Sequence, residues 1–380
     1  MQGKHRQLWL IWFLAMIYCV PVIQSSVEIA GGREPGFLRF FTHAPTRENL
    51  RAFEKELESE SVFAKAVRPW IQYGWFRVFG DPGEKALVGQ DGWLFYRPDV
   101  QYLVEPVSKT PEDPMAAILH FRDRLAERGI HLMVVPMPGK PSVYGGMLTR
   151  RMEKMAAQSP TRELLTSLRG HGIEAVDLFE VFGRLEPRPE QPYYLRRDTH
   201  WSAEAAEIAA GRVASRLREL GWARNGDVPY GVRTLRVRRP SDIARMTRNP
   251  WIEASFPPEE VTARQVVHDS TGAVYRDDPA GPVLVLGDSF LRIYEGDEPH
   301  GAGFVAHLAR ELRQPVASIV NDGGASTLVR QELARRPQLL RGKRVVIWEF
   351  VERDLRFGTE GWKLTPLPAE TSTPALFRNP

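Results

Sequence analysis

Short apolar runs and amphipathic segments follow one another along most of the chain. The runs are typical of buried strands, and the segments between them have the apolar spacing of helices. The runs lie at residues 130–135, 173–179, 283–286, 316–320 and 345–348, and the helical segments at residues 113–128, 161–168, 202–220, 304–312 and 327–335. This alternation predicts an α/β domain with a parallel sheet that is covered by helices on both faces.

Several other segments depart from this alternation. We interpret residues 28–80 as a polar approach to the fold, with a helix over residues 48–67. The pair Asp91-Gly92 predicts a tight turn between two short strands. Residues 225–280 are rich in Pro and Arg and have weak periodicity, which predicts an irregular insertion within a domain that covers residues 81–355. The Pro- and Thr-rich segment 356–380 is expected to be a loose tail.

The N-terminus has the pattern of a signal peptide or a short membrane anchor. Basic residues at positions 4–6 precede residues 7–27, which carry no charge. No clean cleavage site follows, so we expect residues 1–27 to remain as an anchor, with the basic end inside and the body exported. Cys19 is the only cysteine, which excludes an internal disulfide and a thiol nucleophile in the body.

Composition and charge narrow the class of protein. The 380 residues are 43% hydrophobic and 26% charged, which excludes a disordered, collagen-like or coiled-coil chain. Lys and Arg number 51 against 47 Asp and Glu, and the surplus is spread along the chain rather than clustered. We interpret it as a solvated surface and expect no nucleic-acid partner, although a mild positive charge suits an anionic polymer.

The sharpest chemical signal is Gly287-Asp288-Ser289, directly after the apolar run at residues 283–286. In a parallel α/β sheet, ligands bind at the carboxyl ends of the strands, so Ser289 is expected to face a cleft. Its own amide is a candidate oxyanion donor. The alternative is that Asp288 or Ser289 only caps the next helix.

The second signal is Asp198-x-His200, just before the Ala-rich helix at residues 202–220. A Ser nucleophile needs a base to take its proton, and the base needs a carboxylate that fixes its tautomer. One alternative is that this segment caps the helix and leaves His200 on the surface. A metal site is another, but the other histidines show no ligand spacing, so we predict no metal and no cofactor.

The third signal is the pair Gly323-Gly324, which follows the strand predicted at residues 316–320. Glycines at the carboxyl end of a strand let backbone amides approach a substrate closely. These amides are candidates for the second donor of an oxyanion hole, beside the amide of Ser289. The alternative is a plain turn.

Together these motifs resemble the SGNH (GDSL-like) hydrolase superfamily. In most of that superfamily the Asp-x-x-His motif follows the Ser, whereas Asp198-x-His200 precedes Ser289 here. This order is similar to that of the alginate O-acetyltransferase family of the AlgJ/AlgX type. The segments that match this family are GQDGWLF at residues 89–95, VPMPGK at 135–140, DTHW at 198–201, GDSF at 287–290 and WE at 348–349.

The resemblance implies a fold, an activity and roles for three residues. It implies a flavodoxin-like three-layer α/β/α domain in the periplasm that transfers acetyl groups to alginate or a similar exopolysaccharide. The anchor predicted at residues 1–27 would tether this domain to the inner membrane. By position, Ser289 is the nucleophile, His200 the base and Asp198 its orienting carboxylate. The usual superfamily Asn has no counterpart, because Trp348-Glu349-Phe350 stands in its place.

Three further side chains are candidates to face the cleft, because they lie near the ends of predicted strands: Lys140, Tyr144 and Arg292. Lys140 or Arg292 is suited to pair with a uronate carboxylate of the polymer. The alternative for each of the two charged groups is a solvated surface position.

The expected activity also implies partner proteins, and two alternative functions remain open. Acetyl-CoA is cytoplasmic, so an exported enzyme needs an acetyl donor delivered across the membrane. The resemblance and the anchor imply a membrane-bound O-acyltransferase-type donor partner, together with other polymer secretion proteins. One rival is a periplasmic carbohydrate acetylesterase that uses the same three residues and passes the acetyl group to water. The other is a non-catalytic polysaccharide-binding subunit of a secretion complex.

Overall fold

The computed structural model describes residues 2–36, 42, 44–105, 112–185 and 190–368. The chain divides into two compact units, Met1–Pro82 and Gly83–Pro380. The first unit contains helices α1 (Gln2–Ala30), α2 (Arg47–Glu60) and α3 (Val62–Phe79). Residues Gln7–Ala30 of α1 are long and apolar enough to cross a membrane. This agrees with the anchor or signal predicted from the sequence.

The helix predicted over residues 48–67 is in fact two helices. Ser61 lies between α2 and α3, and its side chain accepts a hydrogen bond from the amide of Ala64 at 3.2 Å, which begins a new helix. Pro69, which follows the predicted helix in the sequence, lies inside α3. The apolar periodicity alone did not reveal the break, because it continues on both sides of Ser61.

The second unit is built on a five-stranded parallel sheet, which confirms the predicted α/β class. Its strands are β3 (His131–Met137), β4 (Glu174–Ala175), β7 (Val283–Gly287), β8 (Val316–Val320) and β9 (Val345–Val351), and their order across the sheet is β4-β3-β9-β7-β8. The last strand therefore lies between β3 and β7. The register pairs Met137 with Val351 and Gly287 with Val320, so the carboxyl ends of these strands lie along one edge.

Helices cover both faces of this sheet, as the sequence pattern predicted. The helices of this second unit are α4 (Arg97–Val104), α5 (Pro114–Ala126), α6 (Lys140–Tyr144), α7 (Arg150–Ala156), α8 (Pro160–Gly170), α9 (Leu178–Arg184), α10 (Ala203–Glu219), α11 (Asp242–Met246), α12 (Pro250–Ala254), α13 (Ser289–Arg292), α14 (Phe304–Leu312), α15 (Leu328–Arg335) and α16 (Asp354–Phe357). Alternate strand residues enter two cores, one with α10 and α14 and the other with α5, α8 and α15. Every residue of β7 and β9 is buried, as expected for a sheet covered on both sides.

Two smaller strand pairs lie outside this sheet. β1 (Ala86–Val88) and β2 (Leu94–Tyr96) are antiparallel, and Asp91 and Gly92 between them have φ angles of 50° and 75°. This confirms the predicted turn. β5 (Tyr230–Arg239) and β6 (Glu259–His268) pair antiparallel along their full length.

Residues 225–280 are therefore more regular than the sequence predicted. They contain the β5–β6 ribbon, with α11 and α12 between its strands. The interpretation as an irregular insertion is wrong, because β5 buries none of its residues and so lacks the apolar run that marks a strand in the sequence.

Two other predictions of local structure need correction. The strand predicted at residues 173–179 is only two residues long, because the side chain of Asp177 accepts from the amide of Glu180 at 3.0 Å and begins α9. Residues 356–368 are not a loose tail: the Trp362 ring is 2% exposed and lies 5.1 Å from the Phe350 ring between centroids. The Pro- and Thr-rich composition did not reveal that Trp362 and Leu367 pack into the core. Residues 369–380 lie outside the described residues.

Candidate active site

Ser289 begins a short helix directly after the central strand β7. Gly287 forms the turn between them, and a Cβ atom there would clash with Glu349 and Leu291. Asp288 caps α13 by accepting from the amide of Phe290 at 2.8 Å. The capping alternative therefore holds for Asp288, and it leaves the half-buried side chain of Ser289 free to face the cavity described below.

Asp198 and His200 lie in a loop whose ends are held together by a backbone bridge between Tyr194 and Trp201. Within this loop, Oδ1 of Asp198 accepts from Nδ1 of His200 at 2.6 Å and from its amide at 3.0 Å. The cap of the following helix is Ser202, whose hydroxyl accepts from Ala205. His200 is buried rather than exposed, so the alternative of a surface histidine does not hold.

The structure brings the three residues predicted for catalysis into one hydrogen-bonded chain. Nε2 of His200 lies 2.8 Å from Oγ of Ser289, and Nδ1 of the same ring faces Asp198. Since the Asp198 carboxylate accepts from Nδ1, Nε2 is left to accept the proton of the Ser289 hydroxyl. This geometry is the one that a general base and a hydroxyl nucleophile require.

Trp201 and Phe290 hold the two loops against each other. Nε1 of Trp201 donates to the carbonyl of Phe290 at 3.0 Å, and both side chains are fully buried. The neighbours of these residues in sequence are His200 and Ser289. The contact between the two aromatic residues therefore fixes the distance between the base and the hydroxyl.

Burial and nearby charge shift the pKa of His200 in opposite directions. Burial alone would lower the pKa of His200, but the carboxylate of Asp198, with a further contribution from Asp242, raises that pKa above its usual value. Burial likewise raises the pKa of Asp198, and the larger combined effect of His200 lowers it below the usual value. The arrangement thus favours an ionised Asp198 and stabilises the imidazolium that forms when the base takes a proton.

Asp242 is a second carboxylate at this site, and sequence reasoning missed it. Its Oδ1 accepts from the amide of Thr199 at 2.8 Å, its Oδ2 accepts from the hydroxyl of Thr199 at 2.5 Å, and Oδ2 lies 3.7 Å from Nδ1 of His200. Burial, and then the charge of Asp198, raise the pKa of Asp242 to about 6. No motif signalled it, because it lies at the start of α11, in the segment predicted to be irregular.

The side chains of Asp198, His200 and Asp242 also form a group of metal-ligand types, with one ligand atom of each within 4.8 Å of the others. In the structure these atoms already bond to protein groups. The ring nitrogens of His200 face Asp198 and Ser289, and Asp242 accepts from Thr199. We therefore interpret the group as part of the hydrogen-bonded chain rather than as a metal centre.

A cavity of about 670 Å³ opens over Ser289 and His200. Its lining includes parts of the β5–β6 ribbon and α11, as well as the loop after α13. The lining residues are Tyr96, Asp198, Thr199, His200, Arg238, Arg239, Pro240, Asp242, Arg245, Met246, Ser289, Arg292, Asp297, Glu298, Asp322 and Arg353. A cavity of this size holds a few sugar rings or an acyl donor.

Lys140 and Tyr144 do not reach this cavity, so their prediction as cleft residues is wrong. Lys140 is fully buried, and its ammonium group donates to the carbonyls of Leu94 at 2.6 Å and Arg196 at 3.2 Å. Burial lowers the pKa of Lys140 to about 8. The hydroxyl of Tyr144 accepts from the amide of Tyr193 at 2.9 Å. Both side chains thus tie neighbouring segments together.

Arg292 does line the cavity, as predicted, but it already has partners. Its Nε lies 2.8 Å from a carboxylate oxygen of Asp322, and its Nη1 contacts Asp297. The Arg292 side chain is 37% exposed. It acts as a bridge between two loops, which opposes the predicted role as the partner of a substrate carboxylate.

Gly323 and Gly324 also depart from their predicted role. The amide of Gly323 donates to the side chain of Asn321 at 2.9 Å, and the amide of Gly324 donates to the Asn321 carbonyl at 3.1 Å. Neither is a free oxyanion donor in this structure, so the plain-turn alternative holds. The amide of Ser289, by contrast, makes no hydrogen bond with any residue that the structure describes.

Glu349 stands where the superfamily pattern has its Asn, and the structure gives it a supporting position. It is fully buried, and its Oε2 accepts from the amide of Asp288 at 3.2 Å. Burial, together with the charge of Asp288, raises the pKa of Glu349 well above its usual value. Glu349 therefore lies beneath the turn that presents Ser289, where a neutral carboxyl group is favoured.

Comparison with known proteins gives matches over most of the chain. The family described as "SGNH hydrolase-like domain, acetyltransferase AlgX" matches residues 86–352. A relative from Azotobacter vinelandii, named "Probable alginate O-acetylase AlgJ", is 24% identical over 317 residues, which cover 80% of this chain and 78% of the relative.

Two solved structures share the fold. The O-acetyltransferase domain of Pseudomonas putida AlgJ superposes with a TM-score of 0.55 at 21% identity, covering 73% of this chain and 94% of that one. The structure of Pseudomonas aeruginosa AlgX superposes with a TM-score of 0.53 at 18% identity, covering 70% of this chain and 61% of that one.

Proposed function

The chain belongs to the AlgX-type family of SGNH hydrolase-like acetyltransferases, and from that premise we propose how it acts and on what. It is an O-acetyltransferase, and in our proposal it transfers acetyl groups to hydroxyls of alginate or a similar exported polysaccharide through an acetyl-enzyme on Ser289. The observation that carries the proposal is the hydrogen-bonded chain from Asp198 through His200 to Ser289, which ends in an open cavity.

The first half-reaction forms the acetyl-enzyme. Oγ of Ser289 attacks the carbonyl carbon of the acetyl donor, and its proton passes to Nε2 of His200. The ionised Asp198 stabilises the imidazolium, and the free amide of Ser289 donates to the developing oxyanion. The imidazolium then returns the proton to the leaving group of the donor, which departs and leaves an ester on Ser289.

The second half-reaction uses the same groups in the reverse order. A sugar hydroxyl gives its proton to Nε2 of His200 as its oxygen attacks the acetyl carbon. The tetrahedral intermediate collapses, the bond to Oγ of Ser289 breaks, and the imidazolium returns its proton to that oxygen. The products are an O-acetylated sugar and the free enzyme.

Helix α1 supports a periplasmic location for this reaction. Residues Gln7–Ala30 have the length and composition of a membrane span, and the basic residues at positions 4–6 precede it. In the proposal α1 tethers the chain to the inner membrane, and a membrane-bound O-acyltransferase-type partner supplies the acetyl donor. Protease added to spheroplasts should digest the second unit; full protection of that unit would contradict this topology.

Replacement of the nucleophile tests the proposal directly. We expect Ser289→Ala to lower acetyl transfer to a polymannuronate acceptor by about 10³-fold or more, because no other group takes the acetyl group. Intact-mass analysis of wild-type protein after incubation with p-nitrophenyl acetate should detect one acetyl group, which peptide mapping assigns to Ser289.

A matched control is Ser255→Ala, which removes an exposed hydroxyl that donates to the carbonyl of Trp251 and does not line the cavity. It should acetylate the acceptor at the wild-type rate. Full acetyl transfer by Ser289→Ala would overturn the proposal. An acetyl-enzyme that passes its acetyl group only to water, whatever acceptor is added, would favour the acetylesterase instead.

A further inference from the structure

The cavity over Ser289 contains five arginines, and they fall into two classes. Three are paired with carboxylates: Arg239 with Asp297 at 3.2 Å, Arg292 with Asp322 at 2.8 Å and Arg353 with Asp99 at 2.9 Å. The other two, Arg238 and Arg245, are exposed. Among the residues that the structure describes, neither side chain makes a hydrogen bond, an ion pair or a ring contact.

The carboxylates of the cavity do not neutralise these two guanidinium groups. Four of the five in the lining are already bonded within the protein: Asp198 to His200, Asp242 to Thr199, and Asp297 and Asp322 to Arg292. The fifth, Glu298, is exposed and forms no ion pair with Arg238 or Arg245 in the described part of the chain. The rim of the cavity therefore presents two cations whose counter-charge the chain does not supply.

The backbone that carries Arg238 is held firmly beside the site. The next residue on β5, Arg239, pairs with Asp297 and lies 5.5 Å from the centroid of the Tyr294 ring. Both partners belong to the segment that follows Ser289. The paired Arg239 fixes the end of β5, and the adjacent Arg238, which is exposed and also lines the cavity, is left without a partner of its own.

The helix that carries Arg245 is fixed in the same way to the loop of His200. Asp242 accepts from the amide of Thr199, and the hydroxyl of Ser241 donates to the carbonyl of Arg197. Arg245 lies three residues after Asp242 in α11, on the same side of the helix. It therefore lies about one helical turn from the carboxylate that approaches His200.

We propose that Arg238 and Arg245 form a subsite that binds the carboxylate of an acceptor uronate, beside the sugar hydroxyl that receives the acetyl group. The inference rests on the proposed function, and it assigns to these two residues the role that the sequence suggested for Lys140 or Arg292. A guanidinium offers a planar set of donors that matches a carboxylate, and it remains charged at any physiological pH. The subsite would select anionic over neutral polysaccharide and hold one ring in register with Ser289.

Direct binding tests the subsite without turnover. In a Ser289→Ala background, calorimetric titration would compare a polymannuronate oligomer with a neutral mannan oligomer of equal length. The test variant is Arg238→Gln/Arg245→Gln. The matched control is Arg341→Gln, an exposed arginine that precedes β9, at the opposite edge of the sheet from Ser289. Because binding is measured in a protein without its nucleophile, failure of the proposed acetyl transfer leaves this result interpretable.

We expect the double variant to raise the Kd for the anionic oligomer by about tenfold or more, since charge-assisted hydrogen bonds are lost. Its Kd should also depend less on salt than that of the parent. The double variant should bind the neutral oligomer with the same Kd as the parent. Arg341→Gln should bind both oligomers with the same Kd values as the parent. Unchanged affinity for the anionic oligomer, or an equal loss for the neutral one, would overturn the subsite. In protein that retains Ser289, a raised KM for the acetyl donor with an unchanged KM for the acceptor would also overturn it.

Discussion

Two walls of the cavity over Ser289 differ in the burial and hydrogen bonding of their side chains. On one wall, Asp198 and His200 are buried, and hydrogen bonds connect Asp198 to His200 and His200 to Ser289. On the other, Arg238 and Arg245 are exposed and have no partner among the described residues. The first wall has the fixed geometry that proton transfer requires, and the second has the free charge that recognition of an anion requires.

The difference has its origin in packing. The first wall lies at the carboxyl edge of the central sheet, where Trp201 and Phe290 extend the core up to the reacting atoms. The second wall belongs to the β5–β6 ribbon and α11, where β5 buries no residue. A change in the first wall should therefore alter chemistry or stability, whereas a change at Arg238 or Arg245 in the second should alter binding alone. Asp242 belongs to the second wall by its position in α11 but approaches His200 at 3.7 Å, so it also affects the chemistry.

The largest effect in the first wall, after loss of the nucleophile, is expected for Asp198→Asn. An amide cannot hold the imidazole in the tautomer that accepts the Ser289 proton, so kcat should fall by about 10³- to 10⁴-fold. Steady-state acetyl transfer measures this, with circular dichroism to confirm that the fold is retained. A decrease of less than tenfold would show that the two walls do not differ as we describe.

The next largest difference between the two walls is expected in their contribution to the free energy of unfolding. Trp201→Ala removes a fully buried ring that stacks on Phe304, with a centroid distance of 5.9 Å, and should lower the free energy of unfolding by about 3–5 kcal/mol. Arg238→Ala should change it by no more than about 0.5 kcal/mol. Urea denaturation measures both. Comparable losses in the two variants would mean that the ribbon wall is as tightly packed as the core wall.

The smallest effect is a shift in pH dependence, expected for Asp242→Asn. Burial alone lowers the pKa of His200, but Asp198 and then Asp242 raise it, so the net pKa is above its usual value. The base must be neutral, so activity increases as the pH rises through that pKa. Removal of the Asp242 charge lowers the pKa of His200, and the acid limb of the profile should move to lower pH.

The shift expected for Asp242→Asn is limited to pH values at which Asp242 is ionised in the wild-type protein. Its pKa is raised to about 6, so below that pH the carboxyl group is protonated in the wild-type protein as well. The two profiles should therefore differ most above pH 6. Glu298→Gln is the matched control, because it removes a charge from the same cavity without contact to His200. An acid limb that is the same in Asp242→Asn and wild type would show that Asp242 only positions Thr199.

The sequence predicted more of the first wall than of the second. The spacing of Asp198 and His200 predicted their contact, and the strand-end rule predicted that Ser289 faces a cleft. The resemblance to the acetyltransferase family implied that His200 and Ser289 act together. Asp242 and Arg245 have no such signal, because they lie in a segment whose strands bury few side chains. Lys140 and Arg292 are cations near strand ends, and the sequence did not reveal that protein carbonyls and carboxylates already bind them.

By itself, the sequence determined the layered α/β architecture, the apolar N-terminal helix and the types of residue at the reacting centre. These follow from short-range periodicity and from motifs of a few residues, which act locally. Only the tertiary structure decided which amides and charges are free: those of Gly323 and Gly324 are used within their turn, whereas Arg238 and Arg245 have no partner in the described chain. Whether a polar group is free depends on distances between segments far apart in the chain, and no local pattern contains those distances.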